Sequence, residues 1–207
     1  MPSLELDLNG YTDIPNNKIA VVVTHLEMIK KPSSRLAGDR NDVVLKRWQR
    51  PDASAYKSLF REIGEDWIWF GRLVEPDAAL EALLCEPTRE NYLPMRGQKP
   101  IGTLELNFQD PANVELSYFG LVPSAIGGGV GRWLMAQAVE IAWSRPETKR
   151  LWLHTCTADS PQAMRFYQSC GFRPFKRSIE VADDPRTLGI YTADTAPHVP
   201  CLGFERA

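Results

Sequence analysis

Apolar residues recur along this chain with two different periods, and the changes of period mark its elements. The first strong signal is 19–29, Ile-Ala-Val-Val-Val-Thr-His-Leu-Glu-Met-Ile, whose β-branched content predicts a strand. Lys-Pro-Ser-Ser breaks it. A second short strand is expected over 43–48, and Pro51-Asp52-Ala53-Ser54 reads as a helix start. Ala55, Leu59 and Ile63, with Tyr56 and Phe60 beside them, form the stripe of an amphipathic helix that Gly64 ends. An aromatic cluster, Trp67, Trp69 and Phe70, follows that end, and a short helix is expected over 77–84.

Strands are then predicted over 90–95 and 101–108, around the turn 96–100, and over 114–122. Unbroken alternation in the last of these places Glu115, Ser117, Phe119 and Leu121 on one face, with Val114, Leu116, Tyr118 and Gly120 on the other. Val130, Leu134, Ala138 and Ile141 stripe a helix that Arg145-Pro146 stops. A strand over 151–157 comes next. Ser160 with Pro161 reads as the cap and first position of another helix, Gly171 as its C-terminal stop, and 172–181 as a last strand. This order predicts an α/β (α+β) domain over 18–182, with a mixed, mostly antiparallel central sheet flanked by helices. A polar arm, 1–17, precedes it. An extension, 183–207, follows, and either caps a cleft or packs on a neighbouring subunit.

The break between strand and helix at 121–133 carries candidate chemistry. Four glycines, Gly127, Gly128, Gly129 and Gly131, fall within five positions there. Such a run opens backbone conformations closed to other residues, and the first N–H groups of the following helix favour an anion. The segment reads as a phosphate cradle, against the plain alternative of a linking turn. A nucleotide-hydrolysing P-loop needs Lys and then Ser or Thr after the last glycine, whereas Arg132 and Trp133 follow here. A dinucleotide fingerprint needs a third glycine where Arg132 stands, and the strands upstream look like an antiparallel meander.

Composition narrows the picture further. With 207 residues and a formal net charge of −2, the chain has room for a sizeable core and no global attraction to nucleic acid. Cys85, Cys156, Cys170 and Cys201 show neither zinc-like nor disulfide-framework spacing, so no metal is expected. No apolar run suggests a membrane span and the N-terminus lacks signal-peptide character, so a cytoplasmic address and reduced thiols are expected. One local bias stands out: 30–50 carries seven Lys or Arg against two Asp. It reads as a solvated loop or, if functional, as the partner of an acidic ligand group.

Two motifs together carry a resemblance. Leu121-Val122-Pro123 leads into Ile126-Gly127-Gly128-Gly129-Val130-Gly131, and Phe166-Tyr167-Gln168-Ser169-Cys170-Gly171-Phe172 closes the next helix. In spacing and order they resemble the strand-end, glycine-loop and Tyr-x-x-x-Gly-Phe landmarks of the GCN5-related N-acetyltransferases, most closely over 90–180. The chain departs from that pattern at Ile126, where Arg or Gln is usual, and at Thr157 and Ser160, near a frequent Asn. The resemblance implies an acyl-coenzyme A N-acyltransferase fold with acetyl-coenzyme A as cosubstrate. Its pyrophosphate would rest on the amides of Gly127, Gly128, Gly129, Val130, Gly131 and Arg132. Its pantetheine arm would lie along the strand at Leu121 and Val122, where the fourth and fifth family strands part. Ser160 would either contact the coenzyme or serve as a helix cap. Homodimers are common in the family, but the sequence identifies no interface.

Acetyl transfer to an amine needs a neutral amine, a donor for the carbonyl oxygen as it becomes anionic, and a proton for the leaving thiolate. The Leu121 N–H is the candidate donor and Tyr167 the candidate acid. Glu115 is the candidate base, by the face it is expected to share with Leu121, with Glu105 its competitor. Trp67, Trp69 and Phe70 fall where the acceptor site would lie and, with Glu105, suggest a small-molecule or peptide amine bearing some apolar surface. The activity implied is N-acetyl transfer by direct attack in a ternary complex. The alternative is a non-catalytic acyl-coenzyme A binding module.

Overall fold

The computed structural model describes residues 5–33 and 35–203. Its strands are β1 (Lys18–Met28), β2 (Val44–Arg47), β3 (Arg89–Arg96), β4 (Lys99–Pro100), β5 (Gly102–Asn107), β6 (Asn113–Leu121), β7 (Arg150–Cys156) and β8 (Arg173–Asp183). The helices are α1 (Ala53–Gly64), α2 (Asp77–Leu84), α3 (Val130–Ala142) and α4 (Ala163–Ser169), with short 3₁₀ turns at Glu65–Trp67 and Pro123–Ala125. The strands form one sheet in the order β2-β3-β5-β6-β7-β1-β8, with β4 on β3. Every pairing is antiparallel except β6 with β7. This is the mixed, mostly antiparallel α/β fold that the residue pattern predicts.

Local chemistry accounts for most boundaries. Asp52 caps α1 by accepting from the Ala55 N–H at 2.8 Å. Tyr56, Leu59, Phe60 and Ile63 form its buried face. In α3, Val130, Leu134, Ala138 and Ala142 join Leu104, Leu106, Val114, Leu116, Leu151 and Leu153 in the main core, which lies between α3 and the sheet. One helix start differs from expectation. α4 begins at Ala163 after Gln162, and Ser160 instead accepts from the Gln162 N–H at 3.3 Å in the preceding turn. Seven residues of helix leave no room for the longer element that a Ser160 cap implies.

Two irregularities position the site. Strands β6 and β7 pair in parallel only from Asn113 with Arg150 to Glu115 with Trp152, and beyond that point they have different partners. The sheet is therefore forked. The second irregularity is a register shift in the β5–β6 ladder: Leu106 pairs with Leu116 but Glu105 with Tyr118, which leaves Ser117 as the extra residue of a β-bulge. A bulge reverses the facing of everything after it. Leu116, Phe119 and Leu121 accordingly pack on the α3 side, whereas Glu115 shares its face with Tyr118. The facing expected from unbroken alternation, with Glu115 beside Leu121, is corrected by this one inserted residue.

The extension beyond β8 returns over its own domain. Arg186, 1% exposed, forms a paired contact with Asp184 at 2.9 and 2.7 Å and donates to the carbonyls of Thr195 and Val199 at 3.1 and 2.7 Å. Four groups from one segment thus converge on one guanidinium. The strap they form is moored by Tyr191, whose hydroxyl donates to the Trp69 carbonyl at 2.7 Å, and by Arg61, which donates to the Ile190 carbonyl. The described residues of this segment thus pack on the chain's own domain, behind Ile68 and Trp69.

Candidate active site

The fork opens into a cavity of about 380 Å³. Its coenzyme-facing end is framed by Leu121, Ile126, Gly131 and Phe166, and its far end by Ile19, Val21, Trp67, Ile68 and Phe70. Ladder geometry decides which backbone groups face the gap. Val122 donates to the Ile101 carbonyl at 3.0 Å, and in an antiparallel ladder such bonds alternate along the strand. The N–H groups of Phe119 and Leu121 therefore point away from β5, toward the side that β7 has left.

The glycine loop adds a second set of free donors. Gly127, Gly128 and Gly129 have φ of 91°, 54° and 79°, a left-handed run that L side chains rarely adopt. A Cβ at Gly127 or Gly128 would meet nothing within 4 Å, so backbone conformation rather than crowding calls for glycine here. Among the described residues the N–H groups of Gly128, Gly129, Gly131 and Arg132 have no backbone partner, and they lie at the start of a helix of 13 residues. Val130 and Val122 do not join them: each has its N–H engaged, and each side chain is buried in the core. The guanidinium of Arg132 is turned to the Ser169 hydroxyl at 2.9 Å.

A residue that the sequence motifs do not single out also reaches this loop. Arg40 donates to the Gly128 carbonyl at 2.5 Å while Asp42 grips the same guanidinium at 2.9 Å through both oxygens. It thus holds a cation beside the cradle where Ile126, 61% exposed, supplies none. The signal available in advance was the basic bias of 30–50.

Tyr167 faces the cavity with its ring against Phe119, Phe166 and Phe172, at centroid distances of 6.3, 5.5 and 6.2 Å. Burial, with Asp159 and Cys170 nearby, raises its phenol above the ordinary value, so it holds its proton throughout the neutral range. Ser160 also lines the cavity.

The acceptor-side aromatics meet there as well. Trp69 is fixed on three sides: its N–H donates to the Gly64 carbonyl, its carbonyl accepts from Tyr191, and its indole donates to Asp159 at 3.0 Å. A Cβ on Gly120 would lie 2.4 Å from Ile63 and 2.9 Å from the Trp69 ring, so glycine at that position is what lets the indole close against β6. Next to it, Ile68 is buried at φ 53°, a backbone conformation costly for a β-branched residue. Trp67 packs edge-on against His198 of the strap at 5.8 Å, and His198 contacts the Ala158 carbonyl at 3.0 Å.

The two expected carboxylates lie elsewhere. Glu105 is fully buried and receives Tyr56 at 2.8 Å, Arg72 at 2.5 Å and Arg89. A carboxylate so enclosed serves as a structural counter-charge, not a base or an acceptor contact. Glu115 accepts from the Asn107 amide at 3.3 Å, on the face to which the bulge assigns it and outside the cavity wall. The carboxylates that do line the cavity are Asp159 and Glu180, neither marked by any motif. Asp159 is occupied by Trp69, the Thr155 hydroxyl and the Cys156 N–H. With burial, it pushes the Cys156 thiol up to about 11. Glu180 makes no side-chain hydrogen bond or ion pair among the described residues.

Comparison with known proteins fits this geometry. A sequence profile of the acetyltransferase (GNAT) family matches residues 55–172, more than half of the chain. The chain belongs to that family. Among solved structures, an acetyltransferase from Thermus thermophilus superposes with a TM-score of 0.51 at 20% identity, covering 68% of this chain and 97% of its own. A GCN5-related N-acetyltransferase from Sphaerobacter thermophilus gives 0.57 at 10% identity, covering 79% and 52%. A conserved protein of unknown function from Staphylococcus epidermidis gives 0.56 at 14%, covering 81% of this chain; this GNAT chain spans 63% of that protein's length. At such identities the likeness is one of fold. No curated protein matches the sequence. Among the described residues no group of three or more His, Cys, Asp or Glu could hold a metal ion, and no helix is long and apolar enough to cross a membrane.

Proposed function

We propose that this GNAT protein is an acetyl-coenzyme A dependent N-acetyltransferase that acts on a primary amine by direct attack in a ternary complex. One observation carries the reading: the Leu121 N–H and the Tyr167 phenol face the same cavity, which continues from the glycine loop. The residues present fit the coenzyme. The free amides of Gly128, Gly129, Gly131 and Arg132 suit a diphosphate at a helix N-terminus, with Arg40 adding charge, and the open edge of β6 suits an extended amide chain.

When bound, the coenzyme supplies an electrophilic thioester carbonyl. The Leu121 N–H donates to the carbonyl oxygen as negative charge develops there. Tyr167 holds the proton that the departing sulfur needs, and its raised pKa keeps that proton available. Phe119 and Phe166, stacked at 5.8 Å, exclude water from this end, where these contacts then count for more. Glu115 and Glu105 have no step here. The amine sheds one proton to solvent at the cavity mouth before it attacks, and the second, lost from its nitrogen as the amide forms, replaces the proton that Tyr167 gives to the sulfur.

Thiol release from acetyl-coenzyme A, followed with a panel of primary amines, tests the proposal. Release with at least one amine, falling about a hundredfold in Tyr167→Phe, is expected for a general acid. Tight coenzyme binding with no release from any amine, and indifference to Tyr167→Phe, would instead make the chain a binding module.

A further inference from the structure

The far wall of the cavity has an uneven chemistry. Ile19, Val21, Ile68, Phe70 and Ala182 line it with hydrocarbon and aromatic surface, and among the described residues the cavity lining holds no Lys or Arg, His154 being its one basic side chain. Both of its acidic residues have distinct situations. Asp159 spends its oxygens on Trp69, Thr155 and Cys156. Glu180 projects from β8 beside Val21, its pairing partner on β1, and no described side chain neutralises it. Tyr191 and Ala196 of the strap pack with Ile19 and Ile68 and so back this part of the wall, while Glu180 itself stays exposed.

Three consequences follow for an occupant. The part of it that enters must be small, because about 380 Å³ has to take both the end of the pantetheine arm and the reacting end of the acceptor. A carboxylate or phosphate on it would lose water without meeting a cation, next to an acidic residue, which is strongly unfavourable. An ammonium on an apolar body loses nothing by comparison, since Glu180 offers the counter-charge and the aromatic rings offer the surface.

Resting on the transferase reading for where the amine must react, we propose that the acceptor is a small primary amine on an uncharged apolar body, an arylalkylamine or alkylamine without an acidic group. Glu180 captures its ammonium at the rim, before the proton is lost to solvent and the amine turns to the thioester. Glu180 is thus a specificity-determining residue.

Matched probes that differ only by a carboxylate test this: phenethylamine against phenylalanine, and tyramine against tyrosine. Two readouts are taken on the full chain. The first is thiol release from acetyl-coenzyme A; the second is calorimetric binding of each probe to the protein loaded with coenzyme A. The amine of each pair is expected to be favoured at least about tenfold in both, because the acid form buries an unpaired charge. Glu180→Gln, at an exposed position of an edge strand, should raise the amine KM about fivefold with kcat nearly unchanged, in line with a rim ion pair. Equal or better use of the amino acids overturns the inference while leaving the transferase reading intact. Preferred binding of the amines without thiol release supports the inference and removes the transferase reading. Neither binding nor release of any probe overturns both.

Discussion

The two ends of the cavity are built from different material. At the coenzyme end the contacts come from main-chain N–H groups: the unpaired edge of β6 past the fork, and a run of left-handed glycines opening α3. At the end proposed for the acceptor they come from side chains drawn from β1, the 65–70 turn and β8, with Tyr191 of the strap supporting Trp69 from behind, more than a hundred residues away in sequence. A backbone site tolerates sequence change provided its conformation is kept. A side-chain site changes its ligand with a few substitutions on the same frame. On the proposed function, the backbone end would hold the coenzyme and the side-chain end would set the acceptor.

Substitutions that separate the ends break or sharpen this comparison, and the largest effect is expected in the strap. Arg186→Met leaves Asp184 as a buried charge without its partner and should remove about 3 kcal/mol of stability, read by denaturant unfolding. The acceptor KM should rise with it, and coenzyme affinity should hold. The same pair has a pH signature. Burial pushes the Asp184 carboxyl up, but its hydrogen bonds with Arg186 and that residue's charge outweigh this and leave it below its ordinary 3.8. Its contribution is therefore present above the unfolded value and lost as pH falls through the lower folded value, so the strap should detach only in strong acid. A strap that detaches near neutral pH, seen by hydrogen exchange of 187–200, would contradict the role given to this pair.

Arg40→Ala comes next in size. It should weaken coenzyme A about tenfold by losing one charge-assisted contact, yet leave the affinity for pantetheine, which lacks the phosphates, unchanged. Equal losses for both would mean that Arg40 only shapes the loop. The smallest effect concerns pH and rate: because the Tyr167 phenol lies above its usual value, no alkaline limb from it should enter the kcat profile below about pH 10, the ordinary tyrosine value.

The same division explains what could be read in advance. Glycine runs, Pro123 and the Tyr167-x-x-x-Gly171-Phe172 helix end are local signals, and the order of elements and the glycine turn that opens α3 follow them. The aromatic cluster 67–70 was legible as a cluster, and the structure brings it to the cavity. The bulge at Ser117 was not legible, because an inserted residue leaves the apolar–polar alternation looking intact while reversing the faces beyond it. That one residue puts the expected base, Glu115, on the opposite face from Leu121. Asp159 and Glu180 were equally hidden, since each belongs to no motif and only the fold brings it to the cavity, whereas Arg40 was signalled only by the basic bias of its segment. Glu105, the competing candidate base, was no more legible, because the two arginines that enclose it, Arg72 and Arg89, lie on other elements.

The central claim is that backbone amides of the glycine loop and the forked β6 edge hold the coenzyme. Calorimetric titration of coenzyme A into the full chain and into Gly129→Val tests it most directly. Valine at φ 79° forces the loop to abandon its left-handed run while leaving side chains at the acceptor end untouched. The account predicts saturable one-site binding to the unaltered chain and a loss of at least about tenfold in the variant, with its circular dichroism preserved. Undiminished binding in a folded Gly129→Val protein would contradict it.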